Sequence, residues 1–221
     1  MKVLIFGATG MVGQGVLREC LQDPEVELVA AVGRTATGVQ NPRMQEFLHA
    51  DMTDFSDIEA ELAGFDACFF CLGVSSSGMT EADYEQVSYG FTVAAGETLS
   101  RLNPGMTFIY VSGSGTDSSG QGRVMWARIK GKTENALLAM PFKAYMFRPG
   151  IIEPLDGIRS KTTVYRIFYG FSKPLLPLLR WALPNQVLST RQIGLAMLAV
   201  ARQGYEKRIL ETGDIRAVAR R

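Results

Sequence analysis

Three glycines, in the run Gly7-Ala8-Thr9-Gly10-Met11-Val12-Gly13, stand between an apolar segment, Lys2–Phe6, and an amphipathic helical pattern. That spacing makes a phosphate cradle. Gly7 permits a tight turn, Gly10 lets the main chain approach a pyrophosphate, and Gly13 lets helix and sheet pack closely. The free N–H groups and positive dipole end of the helix then face the phosphate oxygens, with Thr9, Met11 and Val12 completing the contacting loop. About 20 residues further on, NAD-binding versions of this arrangement place a carboxylate on the ribose 2′-hydroxyl. Here the second apolar run ends Gly33-Arg34-Thr35, with no carboxylate. Gly33 leaves room for a phosphate and Arg34 offers it a planar fork of donors. The residues therefore favour NADP(H) over NAD(H).

The counts exclude other chemistries. The chain has 221 residues, with 23 Lys+Arg against 22 Asp+Glu, a net charge of +1. That balance leaves no electrostatic footprint for nucleic acid. Cys20, Cys68 and Cys71 are too few for a disulfide framework, and with His49 the sole histidine no metal site is expected. A histidine base would have to be His49 itself. Cys68 and Cys71 are spaced Cys-x-x-Cys, but they lie inside an apolar strand pattern and read as buried thiols.

These residues need a scaffold, and the chain supplies strand–helix alternation. Strands are expected at Lys2–Phe6 and at 27–32, 45–50, 66–74, 107–112 and 144–147. Helices are expected after the glycine loop, at 55–62, from Thr80 to about Leu102 with Asp83 in the capping-box position, at 123–139 and at 191–203. Such alternation predicts an α/β fold with a doubly wound parallel sheet. The expected organisation is a Rossmann core over 1–155 and a small C-terminal substrate lobe over 156–221, within one structural domain. Residues 151–160 read as loop, and 116–122 as a mobile lid. The stretch 163–183 is apolar, basic and interrupted by Pro174 and Pro177, so no transmembrane helix is expected. It reads as a wall of the substrate lobe, with a homodimer interface or a membrane-surface patch as alternatives. The N-terminal apolar run is too short for a signal-peptide core, which leads to a cytoplasmic expectation.

In this order the motifs resemble the atypical or extended short-chain dehydrogenase/reductase superfamily, in its NAD(P)H-binding, epimerase-like branch. Gly7 to Gly13 is similar to that branch's fingerprint, and Asp51-Met52 to its adenine-contacting pair. Cys71-Leu72-Gly73 occupies the position flanking the cofactor. Ser112 to Ser114, Lys130, and Arg148-Pro149-Gly150-Ile151 complete the series. The layout is also similar to the Tat-interacting NADPH-binding oxidoreductase-like proteins. The resemblance implies Ser112 or Ser114 polarising a substrate oxygen and Lys130 holding the nicotinamide ribose. Arg148 faces either an acidic substrate or an ion-pair partner.

One position departs from the family. Its active members carry Tyr-x-x-x-Lys on the helix after the fifth strand, which puts both side chains on one helix face. Here the segment reads Trp126-Ala127-Arg128-Ile129-Lys130. An indole N–H donates a hydrogen bond but does not titrate usefully. Two readings remain open. The protein is an oxidoreductase on an unknown small carbonyl or alcohol, or a cofactor-retaining epimerase or lyase needing the same acid, with Tyr84, Tyr89 or Ser114 standing in as acid; or it is a non-catalytic NADPH-dependent regulatory, assembly or sensor protein.

Overall fold

A computed structural model gives the fold of residues 1–158 and 186–220. In chain order the strands are β1 (Lys2–Phe6), β2 (Leu28–Gly33), β3 (Met44–Leu48), β4 (Ala67–Phe70), β5 (Thr107–Val111), β6 (Lys143–Arg148), β7 (Ile151–Glu153), β8 (Val187–Ser189) and β9 (Ile209–Glu211). The helices are α1 (Met11–Gln22), α2 (Glu59–Leu62), α3 (Glu81–Glu85), α4 (Phe91–Leu102), α5 (Met125–Leu138), α6 (Thr190–Gln203) and α7 (Thr212–Val218). Seven strands form one sheet in the order β3-β2-β1-β4-β5-β6-β9, and every neighbouring pair is parallel. β7 and β8 pair separately.

The central strands are apolar on both faces because helices cover both. Alternation sends Val3 and Ile5 into one layer, where Val16 and Leu17 of α1, Ile193 and Met197 of α6 and Ile215 of α7 meet them. Leu4 and Phe6 enter the other, against Leu62 of α2, Leu99 of α4 and Leu137 of α5. Phe6, Phe70 and Phe108 stack across three adjacent strands at ring separations of 5.2 and 5.8 Å. This is the doubly wound Rossmann sheet that the sequence predicts. Its order reverses between β1 and β4, where such folds leave a crevice at the carboxyl ends of the strands.

Several details differ from expectation. Residues 151–153 are not loop but β7, and the strand that fixes them, β8, lies 36 residues further on. β9 and α7 were not anticipated, because three residues of strand carry no readable period. β9 extends the main sheet beside β6, and α6 packs on α1 so closely that a Cβ on Gly15 would lie 2.5 Å from Thr190 Cβ. The expected helix from Thr80 does begin there, with the Thr80 hydroxyl accepting from the Asp83 N–H at 3.2 Å. It is broken, however, by a wide π turn over Gln86–Gly90 between α3 and α4. β4 ends at Phe70, four residues earlier than expected. The apolar-basic stretch 163–183 lies outside the described residues. Among those described, no helix is long and apolar enough to cross a membrane.

Candidate functional site

The loop from β1 to α1 is built from main chain. Gly7 has φ +77°, and a Cβ there would lie 2.6 Å from Leu72 N across the crevice. Gly10 closes the turn by donating its N–H to Gly7 O at 2.9 Å and then serves as the N-cap of α1. No side chain caps this helix and no acidic residue lies in its first turn. Its leading N–H groups and dipole are thus left for an anion. Gly13 is buried, and a Cβ on it would lie 2.1 Å from Gly7 O.

In front of this loop lies a cleft reached by Gly7, Thr9, Arg34, Met52 and Leu72, five of the residues expected at a cofactor. Leu48 of β3, 65% exposed, and Val74 in the loop after β4, 41% exposed, add open apolar surface to the cleft. The π turn adds Val87 and Phe91 to the same cleft. Arg34 is exposed and has no partner among the described residues, while a Cβ on Gly33 would meet nothing within 4 Å. A bare helix N-terminus, apolar walls and an uncommitted guanidinium fit a dinucleotide. Asp51 stands beside the cleft rather than in it. Its carboxylate accepts from Thr53 N at 2.8 Å and Thr53 Oγ1 at 2.5 Å, which holds it below the usual carboxylate range. Gly73 is exposed and Cys71 half-buried, with burial pushing the Cys71 thiol up to about 12.

The second group of residues gathers after β5. Trp126 and Lys130 lie one turn apart on α5, and the far edge of the indole covers Gly115, with Cη2 3.6 Å from where a Cβ would be. Lys130 Nζ donates to Ser112 O, and burial pushes its ammonium down to about 8, against an opposing pull from Glu134. Ser112 does not have its hydroxyl available. Oγ lies 2.6 Å from Glu134 Oε1 and 3.1 Å from Phe147 O, both acceptors, so its one proton is used inside the fold. Ser114 is exposed, is held through its N–H to Pro149 O at 2.9 Å, and its hydroxyl has no partner among the described residues.

The other proposed acids are taken up in packing. Tyr84 is 1% exposed, and Tyr89 faces Lys132, whose Nζ sits 4.1 Å over its ring. His49 is buried, with Nε2 2.7 Å from Asp54 O and its ring against Phe55.

Behind Ser112 stands a buried ion pair that sequence reasoning left open. Glu134 is fully buried on α5 and takes Arg148 bidentately, with Nε 3.0 Å from Oε1 and Nη2 on Oε2. Arg148 also reaches Glu211 Oε1 at 3.2 Å and Ser118 Oγ at 2.5 Å. Arg148 therefore anchors β6 rather than facing a substrate. The loop 116–122 is pinned, not free to act as a lid. Asp117 N–H donates to Ala127 O, Asn135 Nδ2 to Ser118 O, and Arg128 Nη1 to Gly122 O, each at 2.9–3.0 Å. Pro149, Gly150 and Ile151 knit the C-terminal residues to the core, Gly150 N–H donating to Thr212 Oγ1 and Ile151 N–H to Gln186 O.

The sequence reading missed Glu46, Val87, Phe91 and Glu134. Strand alternation could have found Glu46, which shares a face of β3 with Leu48. No sequence signal pairs Glu134 with Arg148, because they sit on different elements.

Residues 7–146 match the family model described as NAD(P)H-binding. The chain is 29% identical over 175 residues to the mitochondrial protein FMP52-2 of Scheffersomyces stipitis, covering 76% of this chain and 73% of that one. FMP52-1 of the same yeast is 23% identical over 214 residues, covering 94% and 91%. Among solved structures, the Bordetella bronchiseptica enzyme WbmF in complex with NAD+ superposes with a TM-score of 0.71 at 13% identity, covering 99% of this chain and 76% of that one. The dTDP-glucose 4,6-dehydratase DesIV of Streptomyces venezuelae, with NAD bound, gives 0.69 at 15% identity, covering 99% and 79%. The curated relatives are named as mitochondrial, which overturns the cytoplasmic expectation. That expectation rested on the apolar run Val3–Phe6 being too short for a signal-peptide core, and in the fold that run belongs to β1.

Proposed function

Because the chain belongs to the NAD(P)H-binding family and has the fold of the extended short-chain dehydrogenases/reductases, we propose that its cleft binds NADP(H) and serves a slow oxidoreductase acting on a small carbonyl or alcohol. The observation that carries this is the entry to α1, with glycine at its N-cap and no side-chain cap, beside a cleft in which Arg34 is uncommitted. The 2′-phosphate is assigned to Arg34, and Gly7, Gly10 and Gly13 form the pyrophosphate cradle. Arg34→Ala is expected to weaken NADP+ binding about tenfold and leave NAD+ nearly unchanged, as loss of an exposed charge-assisted contact should. Titration calorimetry with both dinucleotides checks this, and equal NADP+ affinity in the two proteins would refute the assignment.

When bound, the nicotinamide gives or takes a hydride at C4. The chain's own residues then do the rest. Lys130 orients the ribose, and burial brings its ammonium down to about 8. Ser114 polarises the substrate oxygen, since the Ser112 hydroxyl is committed to the fold. Trp126 fills the position of the usual acid without replacing its proton.

A panel of small carbonyls followed by NADPH oxidation is expected to show slow turnover. Lys130 is charged below about 8 and neutral above it, so a rate that draws on its proton falls as pH rises through that value. Trp126→Tyr restores the missing acid and is expected to raise turnover roughly 10²-fold or more. The second reading, a non-catalytic NADPH-dependent regulator or assembly protein, is favoured by Tyr84 being buried and by the Tyr89 ring being covered by Lys132. Tight NADPH binding with no turnover in either protein would establish it.

A further inference from the structure

The cleft holds a carboxylate as well as a guanidinium. Glu46 lies on the edge strand β3, whose alternation puts Met44, Glu46 and Leu48 on one face, and it lines the same cleft as Arg34. Its Oε1 accepts from Thr37 N–H at 2.6 Å, tying the loop that follows β2 back onto β3. One main-chain donor occupies one of roughly four lone-pair sites on a carboxylate, which leaves acceptor capacity and the full negative charge. Glu46 is exposed, so a bound molecule can reach its carboxylate.

A phosphate on the ribose 2′-oxygen brings negative charge into this corner, whereas a free 2′-hydroxyl brings a donor. Arg34 favours the first and Glu46 the second. We propose that Glu46 is a second determinant of cofactor choice, opposing the 2′-phosphate and accepting from a 2′-hydroxyl, so that the NADP/NAD preference is set by the balance of Arg34 and Glu46. This rests on reading the cleft as the dinucleotide site. It differs from the usual arrangement, in which the deciding carboxylate ends the second strand; here it comes from the strand beside it.

Glu46→Gln separates charge from tether, because the amide oxygen can still accept from Thr37 N–H. Dissociation constants for NADP+ and NAD+ are measured by titration calorimetry on the full chain, for wild type, Glu46→Gln, Glu46→Ala and Arg34→Ala. Removing one like charge near a phosphate at the surface is expected to tighten NADP+ about fivefold and to weaken NAD+ slightly. The NADP/NAD ratio then rises in Glu46→Gln and falls in Arg34→Ala. An unchanged ratio in Glu46→Gln, with the Arg34→Ala effect intact, overturns this inference alone. So does equal weakening of both cofactors in Glu46→Ala with no change in Glu46→Gln, the result for a pure tether. If wild type binds neither dinucleotide, the reading of the cleft falls and this inference with it.

Discussion

Gly13→Ala is expected to abolish measurable dinucleotide binding, weakening it by at least about a hundredfold, while the chain still folds. The added Cβ would lie 2.1 Å from Gly7 O and 2.8 Å from Ala8 Cα. Both neighbours are main-chain atoms, so no rotamer change relieves the contact. Either α1 moves off the sheet or the turn from Gly7 to Gly10 opens. The first disturbs the layer where Val16 and Leu17 pack on β1; the second breaks the Gly10 N–H to Gly7 O bond that shapes the cradle. Overpacking of this kind costs about 1–3 kcal/mol, and in a chain of this size each kcal/mol lowers Tm by about 2–4 °C. Calorimetric titration and thermal melting read the two consequences separately. Wild-type affinity in the variant would show that the glycine is not needed for a close approach.

The second large effect is on stability. Arg148→Met is expected to destabilise the fold by about 3–5 kcal/mol, because it leaves the Glu134 carboxylate buried without its bidentate partner. Ser112 Oγ remains as a donor, but one hydroxyl does not replace a guanidinium. Urea denaturation measures the loss. Combining Arg148→Met with Glu134→Gln removes the stranded charge, so the double variant is expected to recover part of the loss. Purely additive losses would show that the two side chains do not act as a pair.

The glycine loop, the succession of strands and helices along the chain and the Thr80 cap were legible because each is local: a turn, a run or a cap declares itself within a few residues. The site was legible only in part. The rule for cofactor choice inspects the end of one strand, and there Arg34 is visible; Glu46 becomes relevant only when β3 is laid beside β2. Ser112 and Ser114 look equivalent in Ser-Gly-Ser-Gly, yet Ser112 points back to a carboxylate 22 residues on and Ser114 does not. A glycine- and serine-rich segment suggests mobility, but the contacts pinning 116–122 come from Ala127, Arg128 and Asn135 on the next helix. β9 is too short to announce itself and exists because β6 offers it an edge.

That last pairing bears on how the chain matures during synthesis. Met146, Phe147 and Arg148 find Ile209, Leu210 and Glu211 about 60 residues later. Until those residues leave the ribosome, β6 carries an unpaired ladder of N–H and C=O groups beside an apolar face, the template on which chains associate edge to edge. The six-stranded sheet is thus expected to be more aggregation-prone than the finished one, and a chain cut before residue 209 is expected to aggregate more readily, which light scattering of the truncated chain would check. The small C-terminal strand acts as a selvedge, replacing the six-residue edge of β6 with a three-residue one.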